Sequence, residues 1–272
     1  MTRIGFVGAG MMAEAIISGM LAGGFAAADI RAADPDGRRR EHMATTYGIE
    51  MTFDNQALAE ACGVLVVAVK PQYFSEAASV LRPALRPGHR IISIMAGVST
   101  IRLEQELRCG GPDEALALPV VRVMPNIPAM VRSGITCICA GSLAESADVE
   151  LAKEIFLTVG AVAEMEEHMI DAATGVAGCG PAYVYMMIEA LADGGVMMGL
   201  PRLLSQQLAA ETVRGAAQMV AAGGGHPGEL KDRVCSPGGA TIAGVYALET
   251  SGFRGAVMEA VVAGAEKCKK IR

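Results

Sequence analysis

Two short segments of this 272-residue chain carry residue types and spacings suited to chemistry. The first, Gly8-Ala9-Gly10-Met11-Met12-Ala13, follows a β-branched apolar run at residues 3–7 and opens a helical pattern. This G-x-G-x-x-A spacing, in a strand–turn–helix context, suits a dinucleotide pyrophosphate. Gly8 permits the tight turn, Gly10 lets the pyrophosphate approach the backbone, and Ala13 lets the helix pack close to the strand. Free N–H groups at the helix start would bind the phosphates. The competing reading is a plain glycine-rich turn, against which the flanking strand and helix weigh.

The second segment runs His226-Pro227-Gly228-Glu229-Leu230-Lys231-Asp232-Arg233-Val234-Cys235-Ser236-Pro237-Gly238-Gly239-Ala240-Thr241-Ile242. It reads as a helix, a Ser-Pro-Gly-Gly turn and the start of another helix. Such a turn gathers backbone N–H groups and the hydroxyls of Ser236 and Thr241 at a helix N-terminus. That makes an anion site of carboxylate size without any cation. The alternative is a capping turn in which Ser236 or Thr241 only satisfies the helix end. Taken by itself, the segment leans toward that alternative.

Cofactor preference receives two conflicting signals. Asp34 ends the strand at residues 30–33, about 20 residues past the glycine loop, where an acidic side chain binds the ribose hydroxyls of NAD. Arg38, Arg39 and Arg40 follow one turn into the next helix, and arginine accepts a 2′-phosphate. A solvated helix face is the commoner use of such a charge run.

No positioned base is evident. His42 and His89 read as surface residues of the first half, and His168 and His226 as structural or solvated residues near helix starts. Lys70 belongs to the loop after the fourth strand and Lys231 to a helix with a solvent face. The interdomain helix at 181–200 contains neither Lys nor His. Alcohol oxidation needs such a base, so its absence counts against alcohol chemistry.

The seven cysteines, Cys62, Cys109, Cys137, Cys139, Cys179, Cys235 and Cys268, form no C-x-x-C pair, and Cys137-x-Cys139 lacks the second half of a zinc site. They read as reduced buried thiols, and no metal site is expected. Cys179 and Cys235 fall beside the candidate site without a base to activate them, so packing is their expected role.

The elements that position these residues follow from patterning. Hydrophobic residues make up 52% of the chain and aromatic ones 4%, so aliphatic side chains and 17 Met must fill the core. Strands are predicted at 3–7, 30–33, 64–69, 90–94, 120–123 and 135–140, with a weaker one near 49–53 and a last one at 161–165. Helices such as 11–22 and 73–85 fill the intervals, the βαβ signature of a parallel sheet. Beyond about residue 166 only helices are predicted, at 181–199, 201–222, 241–250 and 253–270, with Pro181 and Pro201 as first helical residues. The division is thus an NAD(P)-binding Rossmann-like domain at 1–165 and an all-α domain at 166–272 for substrate binding and dimerisation. The 181–199 helix is apolar on nearly every side, which means burial on several faces, and the surplus of apolar surface points to an oligomer. A net charge of −6 disfavours nucleic acid. Glu189, Asp193 and several Gly argue against a membrane span at 181–200. The chain starts almost directly on a strand, which leaves no room for a targeting segment, so a cytoplasmic location is expected.

The chain resembles the pyrroline-5-carboxylate reductases. Val234-Cys235-Ser236-Pro237-Gly238-Gly239-x-Thr241-Ile242 and Leu248-Glu249 match that family's signature. So do Ile4-Gly5-Phe6-Val7-Gly8-Ala9-Gly10, Ala68-Val69-Lys70-Pro71-Gln72, Met124-Pro125-Asn126, Gly178-Cys179-Gly180-Pro181-Ala182-Tyr183, Ala190-Leu191-Ala192-Asp193-Gly194-Gly195-Val196 and Gly199-Leu200-Pro201-Arg202. The likeness covers nearly the whole chain in one order. It implies an interlocked homodimer, assembling into a homodecamer, and NADPH as cofactor with NADH as the alternative. It assigns the cofactor contacts to Val7, Gly8, Ala9, Gly10, Met11, Met12, Asp34, Asn55, Ala68, Val69, Lys70, Pro71, Met95, Ala96 and Gly97. Substrate contacts fall on Ser236, Gly238, Gly239, Ala240 and Thr241. Asp34 departs from the small hydroxyl-bearing residues common near that position in NADPH-preferring members.

The implied reaction is hydride transfer to the C=N carbon of Δ1-pyrroline-5-carboxylate, giving L-proline, the last step of proline biosynthesis. Thr241 is the candidate hydrogen-bond partner of the imine nitrogen, and Ser236 with the N–H groups of 238–241 would hold the carboxylate. The rivals are a β-hydroxyacid dehydrogenase and a non-catalytic dinucleotide-binding protein.

Overall fold

The computed structural model describes residues 3–108 and 117–270. Cys109, counted above among the buried thiols, lies outside them. The chain divides into two compact units, Met1–Gly178 with Gly264–Arg272, and Cys179–Ala263.

The first unit is built on strands β1 (Ile4–Val7), β2 (Ile30–Ala33), β3 (Glu50–Thr52), β4 (Val64–Val67), β5 (Arg90–Ser93), β6 (Val120–Met124), β7 (Gly134–Ala140) and β8 (Gly160–Glu164). They form one sheet in the order β3-β2-β1-β4-β5-β6-β7-β8. The chain builds outward from β1 to β3 and then crosses back to place β4 beside β1, so the switch point lies between β1 and β4. Helices α1 (Met11–Ala22), α2 (Gly37–Tyr47), α3 (Asn55–Ala61), α4 (Phe74–Leu81), α5 (Thr100–Glu106) and α6 (Ser146–Leu157) connect the strands. A short α7 (Ile170–Ala173) then runs into a π-helical turn, Thr174–Gly178.

Alternating strand residues feed two cores, which is why these strands read as continuous apolar runs. Ile4, Phe6, Val64 and Val66 join Ile16, Ile17 and Phe156 on one face. Val7, Leu65 and Val67 join Leu58, Phe74 and Leu81 on the other. Each such side chain contributes about 1.5–3 kcal/mol on full burial. Helix ends follow local chemistry. Asp36 and Asp54 accept the Arg38 and Gln56 N–H groups to start α2 and α3, and Gly48 ends α2 in the left-handed region (φ 67°).

The structure departs from the sequence expectations at several points. β6 and β7 pair antiparallel, while every other pair in the sheet is parallel. Residues 125–133 between them hold only a 3₁₀ turn, Ile127–Val131, too little chain for the crossover of about a dozen residues a parallel pair needs. The helix predicted at 73–85 is limited to Phe74–Leu81, because Pro71 and Pro83 sit in 3₁₀ turns on either side. His89 is buried rather than on the surface. Its Nε2 donates to the Ala59 carbonyl (2.9 Å) and its Nδ1 accepts the Arg86 N–H (2.9 Å). Arg122, on β6, is also buried, and its Nη1 donates to Glu167 (2.9 Å), which further accepts Thr100 N–H and Oγ1–H.

The second unit contains α8 (Gly180–Met197), α9 (Arg202–Ala221), α10 (Pro227–Arg233), α11 (Ala240–Thr250) and the greater part of α12 (Phe253–Lys269). Pro181 is the second residue of α8, and Pro201 the cap of α9, each within one position of expectation. α8 and α9 pack closely through Gly195, where a Cβ would stand 2.1 Å from Ser205 Oγ. That hydroxyl in turn donates to the Ala192 carbonyl (2.7 Å). However, α8 buries only Ala192 among its described residues, leaving Tyr185, Met186, Leu191 and Met197 exposed. The burial expected for this apolar helix is therefore not supplied by its own unit. No helix among the described residues is long and apolar enough to cross a membrane.

Candidate functional site

The glycine loop occupies the switch-point edge of the first unit. Gly8 leaves β1 with φ +95°, and its N–H donates to the Ala33 carbonyl at the end of β2 (2.8 Å). A Cβ there would lie 3.0 Å from the Ala68 carbonyl, so the turn needs glycine. Gly10 is the cap of α1, in extended backbone, with no side chain bonded to the first turn. Nothing lies within 4 Å of where its Cβ would be. An uncapped helix start opening on empty space is what a pyrophosphate requires, so these residues fit a dinucleotide.

A cleft of about 640 Å³ extends from this loop along the carboxyl ends of the strands. Gly8, Gly10, Asp34, Asn55, Ala68, Val69 and Lys70 line it, bringing together much of the expected cofactor set. The remaining members sit otherwise. Val7, Ala9 and Met95 are buried in the core, Met12 is half-buried, Met11 is exposed, and Pro71 opens the 3₁₀ turn after β4. Ala96 and Gly97 follow β5, with Gly97 at φ +74°.

The same cleft is lined by residues the sequence reading passed over: Phe53, Asp54, Tyr73, Glu76 and Val80. Phe53 is 76% exposed and Tyr73 54% exposed, an uncommon placement in a chain with few aromatic residues. Their positions directly after β3 and after the β4 loop were the available signal. The wall carries Asp34, Asp54 and Glu76 against the single cation Lys70.

The arginine run is not a solvated face. Arg40 Nη1 donates to the Asp34 and Pro35 carbonyls (2.7 and 2.9 Å). Arg39 donates from Nε to the Ala9 carbonyl and from Nη2 to Glu14. Glu14 also accepts His42 Nε2 (2.8 Å) and Tyr47 OH (2.9 Å). Burial would raise the Glu14 carboxyl, but the hydrogen bonds from His42, Arg39 and Tyr47, with the Arg39 charge, outweigh it and hold it at about 2. Arg38 is exposed.

The residues expected to contact substrate belong to the second unit. The Gly239 N–H donates to the Ser236 carbonyl (3.0 Å), closing the turn, and Gly238 takes φ +67°. A Cβ on Gly239 would stand 2.3 Å from Ser236 Oγ, so the hydroxyl can fold over the turn only at glycine. α11 then starts with Gly239 as its cap and no side-chain capping bond. Among the described residues neither Ser236 nor Thr241 makes a capping bond at the start of this helix. Ser236, Ala240 and Thr241 are exposed. His226 caps α10, its Nδ1 accepting the Gly228 N–H (3.1 Å), and His168 is exposed beside Glu166.

Burial pushes the Cys62 and Cys139 thiols up to about 11 and 12 respectively, and raises Cys137 as well, so they are poor nucleophiles. Cys179 and Cys235 are half-buried. Among the described residues no group of three or more His, Cys, Asp or Glu is placed to hold a metal.

A phosphate loop at the switch point of a doubly wound sheet, followed by a helical unit, defines a dinucleotide-dependent oxidoreductase of the Rossmann-plus-helical class. The description "NADP oxidoreductase coenzyme F420-dependent" matches residues 3–97, and "Pyrroline-5-carboxylate reductase dimerisation" matches residues 167–271. The pyrroline-5-carboxylate reductase of Synechocystis sp. is 45% identical over 271 residues, 99% of this chain and 98% of that protein. The chain belongs to the pyrroline-5-carboxylate reductase family. Two solved structures align over 99% of this chain and 98% of their own. The pyrroline-5-carboxylate reductase from Coxiella burnetii does so at 30% identity and TM-score 0.91. The Plasmodium falciparum pyrroline carboxylate reductase with NADP bound does so at 33% identity and TM-score 0.86. The Rossmann-like domain and the helical dimerisation domain expected from the sequence are both present, and family membership decides against the hydroxyacid dehydrogenase. The match to a dimerisation domain covers the residues of α8, whose apolar side chains are largely exposed in one chain.

Proposed function

We propose that this chain reduces the C=N bond of Δ1-pyrroline-5-carboxylate to L-proline, the last step of proline biosynthesis, in the cytoplasm. The cofactor is NADPH, with NADH as the alternative; when bound, it supplies a hydride from the nicotinamide C4 to the imine carbon. In this reading residues 1–165 hold the dinucleotide, with Val7–Met12, Asp34, Asn55, 68–71 and 95–97 as its contacts. Residues 166–272 bind substrate and form a homodimer, five of which assemble into a decamer.

The observation that carries the reading is the uncapped start of α11. Its first N–H groups and the Ser236 hydroxyl hold the substrate carboxylate, and Gly238, Gly239 and Ala240 keep the backbone close enough for those contacts. The Thr241 hydroxyl hydrogen-bonds the ring nitrogen, which arrives protonated and leaves as the amine. No side-chain acid or base is needed, because hydride addition to the protonated C=N group gives the amine directly, whereas oxidation of an alcohol requires a base to take the hydroxyl proton. Orientation of the ring against the cofactor is the protein's main contribution.

The test is dinucleotide oxidation followed at 340 nm with Δ1-pyrroline-5-carboxylate, for wild type and Thr241→Ala, with NADPH and NADH in separate assays. Turnover by wild type that falls about 10²-fold or more in the variant supports reaction and site together. Wild type that binds a dinucleotide but turns nothing over would return the non-catalytic reading to the front.

A further inference from the structure

Ala9, the middle residue of the glycine loop, has both ends of its backbone held from the β2–α2 segment. The Asp34 carboxylate accepts its N–H (2.9 Å), and the Arg39 Nε donates to its carbonyl. Arg39 is itself gripped by Glu14 in the first turn of α1, and Glu14 is fixed by His42 and Tyr47 on α2. The bracing therefore closes a ring: loop to Arg39, Arg39 to Glu14, and Glu14 back to the helix that the loop begins.

A guanidinium in this position is poorly placed to recognise a 2′-phosphate as well. Its Nε and Nη2 are committed, and the carboxylate beside it would have to be released before an anion could replace it. It is well placed for another task. The carbonyl of Ala9 belongs to the same peptide plane as the Gly10 N–H, so fixing that oxygen fixes where the Gly10 N–H points. The α1 start that follows takes its direction from the same plane.

We infer that Arg39 is a positioning residue for the phosphate loop: it acts on the pyrophosphate through the Ala9 carbonyl and makes no distinction between cofactors with and without a 2′-phosphate. The inference rests on the cofactor reading above.

Isothermal titration of NADH and of NADPH into the whole protein, wild type and Arg39→Gln, separates the alternatives. Arg39→Gln is expected to weaken the binding of both dinucleotides by the same factor, about tenfold from the loss of a charge-assisted hydrogen bond, with the ratio of the two dissociation constants unchanged. Weakening confined to NADPH would make Arg39 a 2′-phosphate ligand and overturn the inference. A lower melting temperature with both constants unchanged would make it a structural brace and overturn it equally. If Arg39→Gln does not fold, Glu14→Gln, which keeps the side-chain length and loosens the grip on Arg39, takes its place. A smaller but equal weakening of both cofactors is then expected, and a selective or absent effect overturns the inference. Wild type that bound neither dinucleotide would overturn the cofactor reading, and this inference with it.

Discussion

Asp34 and Ala9 meet across the carboxyl ends of β2 and β1: the carboxylate at the end of β2 accepts the loop N–H at 2.9 Å, and its other oxygen accepts the Asp36 N–H at 2.9 Å. The acidic residue thus shapes the phosphate loop while facing the cleft in which a cofactor ribose would lie. A negative charge there disfavours a 2′-phosphate relative to a hydroxyl.

Replacing that charge tests its weight. Asp34→Ser retains a short acceptor and removes the carboxylate. The ratio of kcat/KM for NADPH over NADH is expected to rise about tenfold, equivalent to about 1.4 kcal/mol. A ratio that stays level in initial-rate assays would show that Asp34 only shapes the loop.

The two loop glycines should fail differently. Gly8 combines φ +95° with the Ala68 carbonyl 3.0 Å from its absent Cβ, so Gly8→Ala is expected to cost about 1–3 kcal/mol of stability, read by urea unfolding. Gly10 has ordinary backbone angles and open space. Gly10→Ala should keep the wild-type unfolding midpoint, yet weaken dinucleotide binding by about tenfold or more, because the methyl group occupies the pyrophosphate's approach. Equal loss of stability in both variants would contradict this division.

Glu14 sets an acid limit. Its folded pKa, about 2, lies below the value of about 4.3 in an unfolded chain. A depressed carboxylate contributes stability that is present above the unfolded value and lost as pH falls through the folded one. The stability difference between wild type and Glu14→Gln should therefore be full near neutrality, shrink below about pH 4.3 and vanish near pH 2. Chemical denaturation across that range measures it, and a difference independent of pH would show that the hydrogen-bond geometry matters and the charge does not.

How much of this was legible in the chain depends on how local each feature is. The β1–loop–α1 unit was readable because its requirements fall within a few residues: a tight turn at Gly8, an open backbone at Gly10 and a small residue at Ala13. The inner strands such as β1 and β4 were readable because both faces are covered, so each appears as an apolar run. The Ser236–Thr241 turn was recognisable as a motif, but whether a side chain capped α11 was open until the Gly239 cap was seen to be bare.

What the sequence by itself determined is the order of elements, the phosphate loop and the family, because those rest on short-range spacing and on residue identity along one line. Only the tertiary structure decided the rest. Arg39 reads as solvent-facing by composition, yet it closes on the Ala9 carbonyl thirty positions away. His89 looks exposed between Gly88 and Arg90, yet its ring ties Ala59 to Arg86 in the interior. The reversal of β7 and the wall formed by Phe53 and Tyr73 also belong to this group. Each joins residues far apart in the chain, and which distant partner a polar or aromatic side chain meets is set by how the strands are ordered in the sheet, information that no local pattern carries.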